Sequence, residues 1–233
     1  MMARILILIV ALAVPVLGNA VEPGPRAKSG SQIAWTTETL KLVKNGNAEK
    51  GKILAESCQA CHGQRGEGMP AETRDDEKIP AIPALAGQVP NYMFKQLRDY
   101  FNDDRSNGSM TGIAKGLSEQ DAADLAVWYA SLSLPKPAAG NDQDIAAAEK
   151  MVEAGDGKRI LPPCFVCHGA NGQGEKIDIP SLAGQQADYF ERTLLEYKSG
   201  ERHNDIYSRM RLIAKQLTEA EIKALSEYYR QLR

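Results

Sequence analysis

Two five-residue phrases constrain this chain more than anything else in it: Cys58-Gln59-Ala60-Cys61-His62 and Cys164-Phe165-Val166-Cys167-His168. Each is Cys-x-x-Cys-His, the pattern by which haem is attached covalently to a polypeptide. The order has a chemical reason. Two thiols one helical turn apart add across the two vinyl groups of the ring, and the histidine that follows lies beneath it as an iron ligand. Three other uses of paired cysteines compete: a four-thiolate zinc site, redox-active dithiols, and the structural disulfides of an exported protein. None accounts for a histidine directly after both pairs in a chain with only three histidines and four cysteines. The reading is two covalently bound haem c groups, held by Cys58, Cys61, Cys164 and Cys167, with His62 and His168 as iron ligands.

The motifs head two copies of one unit. Copy one runs from the first motif through "IPALAGQVPNYMFKQLRDYF", copy two from the second through "IPSLAGQQADYFERTLLEYK". The cysteines are offset by 106 residues, Pro83 and Pro180 by 97, and Met110 and Met210 by 100. Copy one therefore carries nine extra residues within "MPAETRDDEK", and copy two carries three extra before its methionine. Both methionines open the phrase Met-x-x-Ile-Ala-Lys. Met110 lies 48 residues past His62 and Met210 lies 42 past His168, enough chain for a loop, a helix and a return across the ring. Met69 is seven residues from His62, too near to reach the opposite face. Met93 and Met151 read as helix packing. Met110 and Met210 are the expected second iron ligands, each held by a short turn at Ile-Ala-Lys.

Helical periodicity places helices at 48–57, 91–101, 118–132, 188–198 and 218–232. Thr218 and Glu221 form a capping box flanked by Leu217 and Ile222, and Ser118 with Asp121 is a weaker version. No alternating strand pattern is evident. Aromatics make up only 6 % of the chain, which leaves each repeat thin in core volume unless something else fills it. The fold class expected is all-α, in two tandem domains, each wrapped around one haem. The divisions are a signal peptide at 1–20, an N-terminal extension at 21–45, domain 1 at 46–134, a linker at 135–144 in a Pro/Gly-rich stretch, and domain 2 at 145–233.

The signal peptide rests on Arg4, the thirteen-residue apolar run Ile5 to Leu17 and the small residues around Ala20. That run falls short of a bilayer span, so a periplasmic protein is expected. A net charge of −2 speaks against nucleic acid as a partner.

The two haem motifs, together with "PSLAGQ", "GERHND" and "MTG", resemble the dihaem cytochrome c4 family over roughly residues 46–233. The resemblance implies an all-α fold of two tandem class I cytochrome c domains, each wrapped around one haem, with His and Met axial ligands and the two domains facing each other across a pseudo-twofold axis. It also implies that the Pro83 and Pro180 carbonyls accept hydrogen bonds from His62 and His168. Residues 21–45 and the nine extra residues depart from the family pattern. Such an iron has no open site, so no enzyme is expected, but a carrier of single electrons. Its donor would be a quinol-oxidising complex or a dehydrogenase, its acceptor a terminal oxidase, with peripheral membrane association left open. The alternative is the electron-accepting subunit of a periplasmic sulfur-compound dehydrogenase. His203 reads as a solvated loop residue among polar neighbours, and Trp35 as a packing residue. In such cytochromes the methionine loop borders the haem edge. Asp99, Asp103 and Asp104 against Arg105 and Lys115 give −1 around Met110. Lys198, Arg202, Arg209, Arg211 and Lys215 against Glu201 and Asp205 give +3 around Met210. Those two fields are expected to line contact surfaces for different partners.

Overall fold

The computed structural model describes residues 30–133, 145–175 and 177–232. The expected signal peptide and linker therefore lie outside the described residues. Two helical halves follow one plan. In the first, α2 (Ala48–Ala55) leads into the short haem-motif helix α3 (Gln59–His62), followed by α4 (Pro90–Phe101), α5 (Met110–Lys115) and α6 (Glu119–Ser131). In the second, α7 (Ile145–Ala154), α8 (Phe165–His168), α9 (Ala187–Ser199), α10 (Arg209–Gln216) and α11 (Glu219–Gln231) repeat that order. The described residues are mostly helical, in two halves of one plan, in keeping with the all-α expectation.

Local chemistry starts and stops these helices. Ser118 and Thr218 cap α6 and α11 with both reciprocal bonds of a capping box present, Asp121 serving in the first as Glu221 does in the second. Leu217 and Ile222 are both buried beside the second cap. The motif helices end at Gly63 and Gly169, at φ of 84° and 81°. A side chain there would be strained, so glycine lets the chain turn away directly after each histidine.

Each half has its own apolar core. Met93, Phe94, Leu97, Leu125 and Tyr129 centre the first. Met151, Phe190, Leu194, Leu225 and Tyr229 centre the second. Met93 and Met151 are thus the packing residues the spacing implied.

Four local expectations are corrected. The helix expected over 48–57 stops at Ala55 and tightens into a 3-10 turn, Glu56–Cys58. The phrase after each methionine is helical, six residues long in α5 and eight in α10. The nine-residue insertion holds a small antiparallel hairpin, β1 (Glu72–Arg74) and β2 (Glu77–Ile79), where no strand pattern was evident. Its strands are three residues long and largely exposed, too short to show alternation. A further insertion escaped the repeat alignment. Ala48-Glu49-Lys50 recurs as Ala148-Glu149-Lys150 at an offset of 100, whereas the cysteines stand at 106, so copy two has six extra residues before its motif. They form a turn closed by Asp156 and Leu161, with the 3-10 helix Gly157–Arg159 inside it.

Residues 30–45 pack onto the first half. Helix α1 (Thr37–Lys44) buries Val43 against α4 and α6. Trp35 stacks obliquely on Phe94 with centroids 6.5 Å apart, the packing role expected of it.

Candidate functional site: two haem cradles and the seam between them

All four cysteines are unpaired, so neither motif is a disulfide. Among the described residues the two pairs do not gather into one four-thiol cluster. His62 and His168 are buried, at 6 % and 8 % exposure. Their Nδ1 atoms lie 2.9 Å and 3.0 Å from the carbonyl oxygens of Pro83 and Pro180. A carbonyl only accepts, so each Nδ1 carries the proton and each Nε2 keeps its lone pair. Burial lowers both imidazole pKa values, against the upward pull of the proline contacts. Both rings are held neutral, the form in which histidine binds a metal. The proline carbonyls do what the resemblance implied.

Met110 and Met210 are partly buried against the first and second cores respectively. Each stands at the start of a helix, but the loops before them are pinned differently. In the first, Asn107 Oδ1 accepts from the backbone N–H of Ser109 and Met110, both at 3.1 Å. In the second, Asp205 accepts from Arg211 N at 3.0 Å and from Arg211 Nε at 2.7 Å. Tyr207 and Ser208 are left-handed there, both at φ of 57°. The three extra residues of copy two are absorbed in that bend.

The residues present fit a haem. The hydroxyls of Tyr129 and Tyr229 are buried with only the weakly bonding thiols of Cys58 and Cys164 beside them, and at the seam Nη1 of Arg202 is buried without a hydrogen-bond partner. Buried polar atoms are normally satisfied. Under-satisfied hydroxyls beside both thiol pairs, together with neutral imidazoles and free thiols, suit a prosthetic group held at those thiols.

The halves meet through a seam that obeys the repeat. Gln88 reaches Ser181 of the second domain, donating from Nε2 to its carbonyl at 3.1 Å and accepting from its N–H at 2.8 Å. Gln185 does the same to Ala84, at 3.1 Å and 2.8 Å. Arg105 donates to Tyr189 Oη at 3.0 Å while stacking on Tyr100 of its own domain. Arg202 mirrors it, donating to Tyr92 Oη at 3.0 Å and stacking on Tyr197. Burial pushes the Tyr189 phenol up, but the nearby Arg105 and Arg202 charges outweigh it and lower its pKa.

This seam overturns two expectations. Arg202, Asn204 and Asp205 beside His203 are buried, at 4 %, 0 % and 7 % exposure, so the neighbours are not the solvated run expected, while His203 itself stays partly exposed. The charge tally around the methionines fails for the same reason. Asp99 and Asp104 are buried too. Arg211 is tied to Asp205, and Arg209 lies 3.0 Å from Asp178. The fields of −1 and +3 do not describe two exposed surfaces. Sequence reasoning also missed Gln88, Gln185, Arg105 and Arg202. The signal was present: all four keep the 97-residue offset of the prolines.

A helical unit written twice, each with an unpaired Cys-x-x-Cys pair and a proline-braced histidine, defines a tandem c-type cytochrome carrying two covalent haem groups. Residues 48–133 and 154–233 each match the cytochrome c family. Cytochrome c4 of Thiocapsa roseopersicina is 36 % identical over 187 residues, covering 78 % of this chain and 91 % of that protein. The thiosulfate dehydrogenase electron acceptor of Thiomonas intermedia is 34 % identical over 176 residues, covering 75 % and 77 %. The crystal structure of reduced recombinant cytochrome c4 from Pseudomonas stutzeri superposes with a TM-score of 0.73 at 32 % identity, covering 81 % of this chain and all of that one, 100 %. The chain belongs to the cytochrome c4 family, and dihaem electron transfer is its function.

Proposed function

We propose that the chain is a periplasmic shuttle of single electrons, with His62 and Met110 on one iron and His168 and Met210 on the other. The observation that carries this is the pair of neutral histidines, each with Nδ1 committed to a proline carbonyl and Nε2 left for the metal. A haem so ligated supplies a reversible one-electron couple, and a thioether ligand raises its potential. The protein holds each imidazole in one tautomer and orientation and keeps the histidine side dry. With both axial positions taken, no site remains for a substrate. The partners are redox proteins: a quinol-oxidising complex or a dehydrogenase as donor, a terminal oxidase as acceptor.

A second reading is supported by the thiosulfate dehydrogenase electron acceptor among the relatives. In it, the chain takes electrons from a sulfur-compound dehydrogenase. Among the described residues no helix is long and apolar enough to cross a membrane, which is compatible with either role. Spectropotentiometry of the purified protein tests the ligand assignment: two low-spin couples with His/Met spectra are expected, and a high-spin component in the wild type overturns it. Stopped-flow reduction by a quinol-oxidising complex and by a thiosulfate-oxidising dehydrogenase then separates the two partner readings.

A further inference from the structure

Each domain sets the basicity of the other domain's haem histidine. We infer this from the atoms that Gln88 and Gln185 touch, and it rests on the reading that His62 and His168 bind iron. The Pro83 carbonyl that accepts from His62 Nδ1 belongs to the same peptide group as the N–H of Ala84. That N–H donates to Gln185 Oε1 at 2.8 Å. The chain is therefore continuous: imidazole N–H to carbonyl, through one peptide plane, then N–H to a side-chain amide of the opposite domain. The second domain repeats it, from His168 through the peptide between Pro180 and Ser181 to Gln88 Oε1, also at 2.8 Å.

Both glutamines are fixed. Each Oε1 also accepts from the backbone N–H of the residue after it, Val89 or Gln186, at 2.9 Å. Each Nε2 donates across the seam to the carbonyl of Ala84 or Ser181, at 3.1 Å. Gln88, Gln185, Ala84 and Ser181 are all buried, so water does not substitute for these contacts.

Hydrogen bonds in such a chain polarise one another. Donation by the peptide N–H makes the proline carbonyl a stronger acceptor, which draws the Nδ1 proton and enriches Nε2. A more basic imidazole favours the oxidised iron and lowers its potential. The consequence is crossed: a side chain in domain 1 tunes the iron of domain 2, and the reverse. Gln88 and Gln185 are thus positioning residues that act through the histidines, and domain docking is part of setting both potentials.

The test uses the full holoprotein with Gln88→Met and Gln185→Met, which keep length but remove the acceptor. Gln88→Met is expected to raise the midpoint potential of the domain 2 haem and leave that of domain 1 unchanged. In NMR spectra of the reduced protein, the His168 Nδ1–H resonance moves upfield while that of His62 stays. Gln185→Met gives the mirror result. Gln88→Glu keeps the acceptor, adds charge, and shifts the same haem downward; this opposite sign is not what simple loosening of the seam produces, and it serves if the methionine variant folds poorly. Shifts in the variant's own domain, equal shifts in both, or no shift in either overturn the inference. Failure of the ligand reading looks different: the wild type itself would lack two ring-current-shifted imidazole N–H resonances.

Discussion

The same ion pair is written into the middle helix of both domains, with different outcomes. Lys95 and Asp99 in α4 stand 97 residues before Arg192 and Glu196 in α9. Lys95 and Asp99 are sealed, their side chains 2 % and 0 % exposed and 2.5 Å apart. Asn204 of the second domain accepts from Lys95 through its carbonyl and donates to Asp99, while Ser31 of the N-terminal segment closes the far side of Asp99. Arg192 and Glu196 are 38 % and 28 % exposed and 3.7 Å apart. The difference comes from what lies on top. Residues 30–33 run over domain 1, with Gln32 bonded twice to Asp104. The repeat fixes the backbone and the cradle; the domain seam, through Asn204, and the N-terminal segment, through Ser31, decide which charges are dry.

The cradles are where the domains should be most alike, and breaking them gives the largest effect. Met110→Ala is expected to open the first iron and leave the second, and Met210→Ala the reverse. Each variant should lose about half of the methionine-ligation spectrum. One of the two potentials should drop by roughly 0.1 V or more, a modest share of the ~0.8 V that axial ligands span. Met93 is buried in the first core, so Met93→Ala should cost stability without moving a potential. If Met93→Ala opened an iron and Met110→Ala did not, the ligand assignment would be wrong.

The buried pair comes next. Lys95→Ala leaves Asp99 charged, dry and without its cation, which costs about 3–5 kcal/mol. Arg192→Ala removes a half-exposed partner together with its 3.1 Å hydrogen bond across the seam to the Ala81 carbonyl, and should cost about 1–2 kcal/mol, still below the Lys95 loss. Urea unfolding of the two holoprotein variants measures the contrast. Similar losses from both would show that Asn204 and Ser31 do not keep the Lys95–Asp99 pair dry.

These two cases mark what the sequence disclosed. The thiol and histidine positions and the helix starts follow from local chemistry: fixed spacings, a capping box, a periodic apolar face. They were legible because each is decided within a few residues. The seam was not, because Arg105 meets Tyr189 and Arg202 meets Tyr92 only after two helical units have docked. Counting Asp99, Asp104 and Arg202 as surface charges failed for that reason. Burial is a property of the assembled pair of domains. The six-residue turn at 156–161 was hidden because every anchor of the repeat, from the cysteines through the prolines to the methionines, lies after it.

That turn gives domain 2 a clamp that domain 1 lacks. Arg159 donates to both oxygens of Glu221, at 3.0 Å and 2.8 Å, and to Asp156 at 2.8 Å. The hydrogen bond from Arg159 is the main cause holding the Glu221 carboxyl at about 2, with contacts from Thr218 assisting against the upward push of burial. A folded-state value below the ordinary ~4.3 of an unfolded glutamate means stability present above that pH and lost as pH falls through 2. Arg159→Gln should therefore destabilise domain 2 at neutral pH, with the gap to wild type closing as acid is added. Ser118 and Asp121 have no such arginine, so the matching cap of domain 1 provides the internal control. Urea midpoints at stepped pH check it, and a gap that widens in acid would contradict the assignment.

The smallest expected effect lies in the hairpin of domain 1. Its turn places Asp75 and Asp76 at φ of 50° and 65°. Left-handed values at both central residues define the turn that favours Asn-Gly, because glycine takes them without a Cβ penalty. The strands contribute little to the core: five of their six residues are exposed, and the Arg74–Glu72 pair is 66 % and 43 % exposed. Asp75→Asn with Asp76→Gly should relieve strain at the turn, offset in part by the entropy that glycine adds to the unfolded chain. The net gain should be a few tenths of a kcal/mol, at most about 1 kcal/mol. It belongs to the hairpin alone, since Met69 and Ile82 pair independently just outside it and anchor the return to Pro83. Hydrogen exchange should slow at the N–H groups of residues 72–79, while both haem potentials and the global urea midpoint stay at wild-type values. A shift in the domain 1 potential would show that the insertion reaches the histidine brace after all, through Ile82 and the Pro83 carbonyl. The nine extra residues would then belong to the cradle, and the two domains would differ at the iron as well as in what covers them.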